Sequence, residues 1–169
     1  MKILKKYLTI FKNTQLNVFL IGLLMLHGCD ISSSPEKLFS NAIVERNEKN
    51  FKKAADILRK LVNSSTDEEI LVKSNLLLAE IFYHDLKDFN RAIEEYDNFC
   101  KSFPLHKNAA SSLFMQGFIY HNSLSDLQMA EKLYLKFLDD YPDHELALSV
   151  RWELDNLGIN IDEMPFFKN

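Results

Sequence analysis

Cysteine is scarce in this chain: Cys29 and Cys100 are the only two among 169 residues. Two thiols build neither a disulfide framework nor a four-cysteine metal site. Glycine and proline are few, four of each, and there is no glycine-rich phosphate loop, nucleophile elbow or Cys/His metal spacing. The longest apolar run, Val18 to Leu26 (VFLIGLLML), is too short for a bilayer-spanning helix, which takes about 20 residues. Adjacent carboxylates such as Glu94 and Glu95, or Asp139 and Asp140, point in different directions from a helix and form no acid/base pair. His84 and His121 could approach one another but lack a third metal ligand. The expectation is therefore a protein that is not an enzyme, with no cofactor, no metal and no small-molecule substrate.

The first residues carry their own pattern. Lys2, Lys5, Lys6 and Lys12 precede the apolar run, and no acid occurs before Asp30. A basic start, a short apolar stretch and a small residue before a cut describe a secretory signal. Leu26-His27-Gly28-Cys29 closes it and resembles the lipobox of bacterial lipoproteins, with His27 where a small residue is usual. The resemblance implies that residues 1–28 are removed as a signal peptide. Cys29 then receives a covalent lipid, and residues 29–34 form a short linker. Two or three acyl chains anchor stably where one is marginal. The other readings are an uncleaved anchor and an ordinary signal with a chance cysteine. Lipidation predicts a place at the periplasmic face of the outer membrane. Asp30 resembles the signal that retains enterobacterial lipoproteins at the inner membrane, which is the alternative.

Charge agrees with a lipid rather than an electrostatic hold on the membrane. Residues 1–28 contain four of the 20 basic residues and none of the 24 acidic ones, so the remainder carries 16 against 24, net −8. An acidic surface repels anionic headgroups and nucleic acid. Cys100, beside Phe99 in a helical run, reads as a small buried hydrophobe; a reactive thiol is the other reading.

From Pro35 onward the composition is that of a helical protein, and it repeats. Phe51-Lys-Lys-Ala54, Phe89-Asn-Arg-Ala92 and Leu127-Gln-Met-Ala130 place their alanines at a constant period of 38. Four residues after each alanine stand Leu58, Tyr96 and Tyr134; three further on stand Leu61, Phe99 and Phe137. That spacing is one helix face, on which the small alanine lets a neighbouring helix approach. Pro104 and Pro142 follow twelve residues after Ala92 and Ala130 and stop those helices. Upstream, Leu76, Ala79 and Tyr83, then Leu113, Gly117 and Tyr120, mark a second helix face in each unit.

These residues resemble the tetratricopeptide repeat (TPR), a helix–turn–helix unit of about 34 residues. Units two and three match well over Lys73–Pro142, the third gaining one residue in its turn. The first, from Pro35, is weaker, with Glu45 and Thr66 where Tyr and Pro are usual. The fold implied is all-α: a TPR-like α-solenoid of about three hairpins over residues 35–158, closed by a C-terminal capping helix. Helices are predicted at 35–48, 51–63, 67–85, 89–102, 106–122, 126–140 and 143–157, with Ser34-Pro35-Glu36 as a start signal. Thr66-x-x-Glu69 and Ser125-x-x-Gln128 are read as capping boxes. The 159–169 tail, with Ile159, Ile161, Met164, Phe166 and Phe167, is too apolar for a free end. It either docks back on the array or anchors a partner.

The resemblance also implies where a partner would sit. In this family the first helices of successive hairpins line a groove. The groove positions fall here on Phe39, Ile43, Arg46 and Asn47, on Leu77, Ile81, His84 and Asp85, and on Phe114, Phe118, His121 and Asn122. An apolar floor beside a polar row of Arg46, His84 and His121 suits an extended or helical peptide; burial of the floor by the tail or by superhelical curvature is the competing reading. The function expected is a protein-binding scaffold or adaptor of the bacterial envelope, similar to the TPR lipoprotein of the outer-membrane β-barrel assembly machinery. Its partners would be envelope proteins or peptides. Alternatives are a chaperone-like module for unfolded outer-membrane polypeptides and an accessory subunit of a cell-wall hydrolase.

Overall fold

The computed structural model of the chain describes residues 34–159; the signal segment, Cys29 and residues 160–169 of the apolar tail lie outside them. The described residues contain seven α-helices and no strand. These are α1 (Pro35–Asn47), α2 (Phe51–Ser64), α3 (Glu68–Glu80), α4 (Phe89–Ser102), α5 (Asn108–Asn122), α6 (Leu127–Asp140) and α7 (Ala147–Asp155). Each helix packs chiefly against its neighbours in the chain, and α1 also touches α3. That is the signature of stacked hairpins, in which an element meets only adjacent units.

The stripes read from the sequence form the core of the second helices. Ala54, Leu58 and Leu61 on α2, Ala92, Tyr96 and Phe99 on α4, and Ala130, Tyr134 and Phe137 on α6 are all buried. Two apolar clusters result. One joins α1 to α4 and includes Ile119 of α5; the other joins α5, α6 and α7.

The turns inside the hairpins repeat with the same period. Lys49, Lys87 and Ser125 recur at that spacing, and all three adopt left-handed backbone (φ 65°, 54° and 55°). The residue after each starts a second helix. Asp88 accepts a hydrogen bond from the Arg91 amide at 3.2 Å, and Asp126 one from the Met129 amide at 3.1 Å. The caps thus sit one residue later than predicted and are single aspartate caps rather than capping boxes, since Ile70 and Met129 have no side-chain acceptor to return the bond. With φ positive, Ser125 cannot occupy the extended backbone of an N-cap. Asp67 rather than Thr66 caps α3, accepting from the Ile70 amide at 3.0 Å.

The register of the second unit also differs from the expectation. The helix predicted as continuous to residue 85 turns π-helical over Ile81–Asp85, where the Leu86 amide donates to the Ile81 carbonyl. Asp88 then donates to Phe82 and Asp126 to Tyr120, both six residues back, whereas Asn50 donates to Glu45, five back. The extra turn residue therefore belongs to units two and three alike. It makes Phe82, not Tyr83, the equivalent of Tyr120. Phe82 is buried, with the guanidinium groups of Arg59 and Arg91 5.7 and 5.5 Å from its ring centroid.

Between hairpins, Phe103-Pro104-Leu105-His106 and Tyr141-Pro142-Asp143-His144 form the same turn. His106 Nδ1 accepts from the Asn108 amide and His144 Nδ1 from the Leu146 amide, each at 3.1 Å. Each ring stands edge-on to the aromatic residue of the preceding helix, Phe99 at 5.6 Å and Phe137 at 5.7 Å between centroids. These turns delay α5 to Asn108 and α7 to Ala147, later than the predicted starts at 106 and 143. The first unit has no such histidine; there Asp67 caps the following helix.

Gly117 marks a close helix approach. A Cβ at this position would stand 2.7 Å from Cε1 and 2.8 Å from Cδ1 of Tyr134, a ring that is wholly buried and has no room to move. Gly117→Ala should therefore destabilise the array by roughly 1–3 kcal/mol, the usual cost of overpacking, although alanine is the better helix former. Urea denaturation would measure it; a more stable variant would show that α5 and α6 can separate freely.

Candidate protein-binding face

The first helices of the hairpins, α1, α3 with the π-helical turn that follows it, and α5, carry the predicted groove residues. Phe39 and Leu77 are half-buried and pack against the first core cluster. Ile43 is exposed. On α5, Phe114 and Phe118 are half-buried, with ring centroids 5.8 Å apart, and Phe114 stacks on Tyr134 at 6.1 Å. Ile81 is different. It is 0% exposed, since the π turn draws both Ile81 and Phe82 into the core, and it offers no surface to a partner. Asn47, His84 and Asn122 are exposed.

The polar row is engaged within the molecule. Arg46 Nε donates to Asp85 at 2.7 Å and its Nη1 to Glu80 at 3.3 Å, joining the end of α1 to the end of α3. His121 Nδ1 lies 3.1 Å from a Glu153 oxygen, joining α5 to α7. Asp85, predicted as a groove contact, is thus the partner of Arg46. His84 alone of the three is exposed, its ring edge-on to Tyr83 at 4.5 Å. Half-exposed pairs of this kind contribute little stability, about 0–1 kcal/mol each. They do fix the spacing between consecutive first helices, and so the width of any groove those helices line.

Two surfaces escaped the sequence reading. An open cleft of about 550 Å³ lies between the starts of α3 and α5, lined among others by Val72, Lys73, Leu76, His106 and Lys107. Leu148 and Trp152 on α7 are exposed; the predicted stripe of α7, Ala147, Val150, Leu154 and Leu157, faces the array instead. The signal for the cleft was available in the recurrence of His106 at His144, one full period on, which marks where each first helix begins.

Chemistry is sparse. Among the described residues no group of three His, Cys, Asp or Glu side chains could hold a metal ion. Cys100 is half-buried; its thiol lies 3.4 Å from the Ala109 carbonyl, and burial, reinforced by the charge of Asp97, pushes its pKa up to about 11. A thiol so held is protonated at neutral pH and behaves as a packing group. No helix among the described residues is long and apolar enough to cross a membrane.

Stacked helical hairpins presenting half-buried aromatics on their first helices define a TPR-like array of the protein-interaction type. The model of the YfiO outer membrane lipoprotein family matches residues 32–147. The chain belongs to that family, one of non-catalytic scaffolds. No curated protein matches it.

Proposed function

We propose that this chain is a lipid-anchored, non-catalytic scaffold at the periplasmic face of the outer membrane, holding another envelope polypeptide as part of outer-membrane protein assembly. Residues 1–28 would be its signal peptide, Cys29 its lipidated amino terminus, and that lipid its only non-protein group. The observation that carries the reading is the arrangement of the first helices. Phe39, Ile43, Leu77, Phe114 and Phe118 remain partly accessible, while Arg46–Asp85 and His121–Glu153 brace the helices that bear them. Aromatic and aliphatic side chains set between braced helices suit an amphipathic or extended segment that inserts its own apolar residues. The exposed Asn47, His84 and Asn122 would meet the polar backbone or side chains of that segment.

Phe118→Glu tests this directly. A carboxylate on the floor should weaken capture of the partner at least tenfold, since it would be desolvated without a counter-ion, while helicity and melting stay close to those of the parent. Detergent extraction followed by affinity purification measures it. One stoichiometric partner, lost in the variant, is the expected outcome. If many unrelated unfolded polypeptides are held equally, the chaperone reading replaces the scaffold. If the variant instead unfolds, Phe118 is core and the floor is not a binding surface.

A further inference from the structure

The second helices carry a concentration of positive charge that the repeat does not require. Two adjoining depressions of about 600 and 270 Å³ run along α2 toward the start of α4 and share Lys52 and Leu86. Five cationic side chains line them, Lys49, Lys52, Lys53, Arg59 and Arg91, against two acids, Asp56 and Asp88. Both acids are engaged. Asp56 lies 3.9 Å from Arg59, while Asp88 caps α4 and lies 3.3 Å from Arg91. Lys53 pairs with Glu45 at 2.6 Å, and Glu95 reaches Arg59 only at 4.0 Å. Lys49 and Lys52 are exposed and make no ion pair among the described residues. In a chain that is net −8 beyond residue 28, this is a local reversal of sign. One and two periods on, Lys52 becomes Asn90 and Gln128, and Arg59 becomes Asp97 and Leu135. The cations therefore belong to the junction of the first two hairpins and not to the packing of the array.

We propose that this depression is a docking site for an acidic, extended segment of a partner protein, one that carries an apolar residue between its carboxylates. Charge selects the occupant: a concave surface lined by one sign over apolar walls focuses its field and draws the opposite charge. The apolar element lies where the two depressions meet. Leu86 lines both and Phe51 one of them, and each is half-buried. Spacing selects an extended chain. Lys52 and Arg59 stand two turns apart on one face of α2, about 10 Å along its axis, which about three extended residues cover. Carboxylates three residues apart then meet both cations, with an apolar side chain between them over Leu86. A bilayer is a poor alternative, because it is flat and the acidic remainder of the surface repels anionic headgroups. The site uses none of the groove residues on the first helices, so it stands apart from the reading of that groove.

The probe is a blocked, fluorescein-labelled pentapeptide of four glutamates around a central phenylalanine, followed by anisotropy against the detergent-solubilised full chain. Saturable binding is expected, weakening as salt is added. Lys49→Glu together with Lys52→Glu should weaken it roughly tenfold or more, with circular dichroism unchanged because both side chains are exposed. Lys60→Glu together with Lys132→Glu alters the net charge equally at exposed positions outside the depression and should leave affinity within about twofold, since distant surface charges are screened. Exchanging the peptide's glutamates for glutamines should abolish binding, and exchanging its phenylalanine for serine should weaken it severalfold. Equal losses in the two charge-reversed pairs would overturn the proposal, because binding would then follow net charge alone. So would undiminished binding of the glutamine peptide. Displacement by inorganic pyrophosphate, or by micelles doped with phosphatidylglycerol, as effective as displacement by unlabelled peptide would assign the surface to phosphate or headgroup chemistry and overturn it as well.

Discussion

Phe137→Ala should lower the stability of the array by about 3–5 kcal/mol, the range measured for emptying a fully buried aromatic site. Phe137 is 0% exposed, and it holds together more than its own helix. The rings of Tyr141 and His144 lie 5.5 and 5.7 Å from it, so it is the surface on which the turn into α7 rests. His144 in turn accepts the Leu146 amide just before α7 begins. Losing the ring leaves a cavity and frees the turn that starts α7. Phe137→Leu should cost well under half as much, because the first unit already accommodates Leu61 at the equivalent position, fully packed. Urea denaturation followed by circular dichroism separates the two. An alanine variant within about 1 kcal/mol of the parent would mean that α6 and α7 are not stacked through this residue, since surface substitutions alone reach only about half that.

Cys29→Ala should abolish acylation and removal of the signal segment. The expected product is a precursor that still carries residues 1–28 and takes up no radiolabelled fatty acid, assayed by metabolic labelling and by its mobility on a denaturing gel. The effect on labelling should be close to complete. Removal of residues 1–28 would leave the lipid as the attachment, since beyond residue 28 the chain is net −8, no described helix can cross a bilayer, and an acidic surface does not substitute for acyl chains at an anionic membrane. A normally matured, membrane-bound Cys29→Ala protein would falsify the lipid-anchor reading and leave the array without an attachment of known chemistry.

Much of the molecule was legible from one sequence because its information is periodic. The second-helix stripes depend on local spacing alone: Ala54, Ala92 and Ala130 are each followed by large apolar side chains one and two helical turns later, and all nine positions are buried. The first-helix surface was less legible. Ile81 was counted from the family pattern as floor, but one additional turn residue converts Ile81–Asp85 to π-helix and rotates that side chain inward. Periodicity cannot show where a helix absorbs an insertion, because that depends on packing against other helices. The Arg46–Asp85 and His121–Glu153 bridges span 39 and 32 residues. Nothing in the spacing of a single helix announces such partners.

The amino-acid order by itself determined that this protein is helical, that its hairpins recur with a fixed period, and that its beginning has the form of a lipoprotein signal. Each of these follows from contacts within one or two turns of chain, or from residues read by other proteins before folding. Only the tertiary structure decided which groove residues stay accessible, which ones brace the array, and that α7 presents Leu148 and Trp152 outward. Those outcomes depend on distant helices meeting side by side, and the same leucine or tryptophan is core or surface according to whether a second helix lies over it.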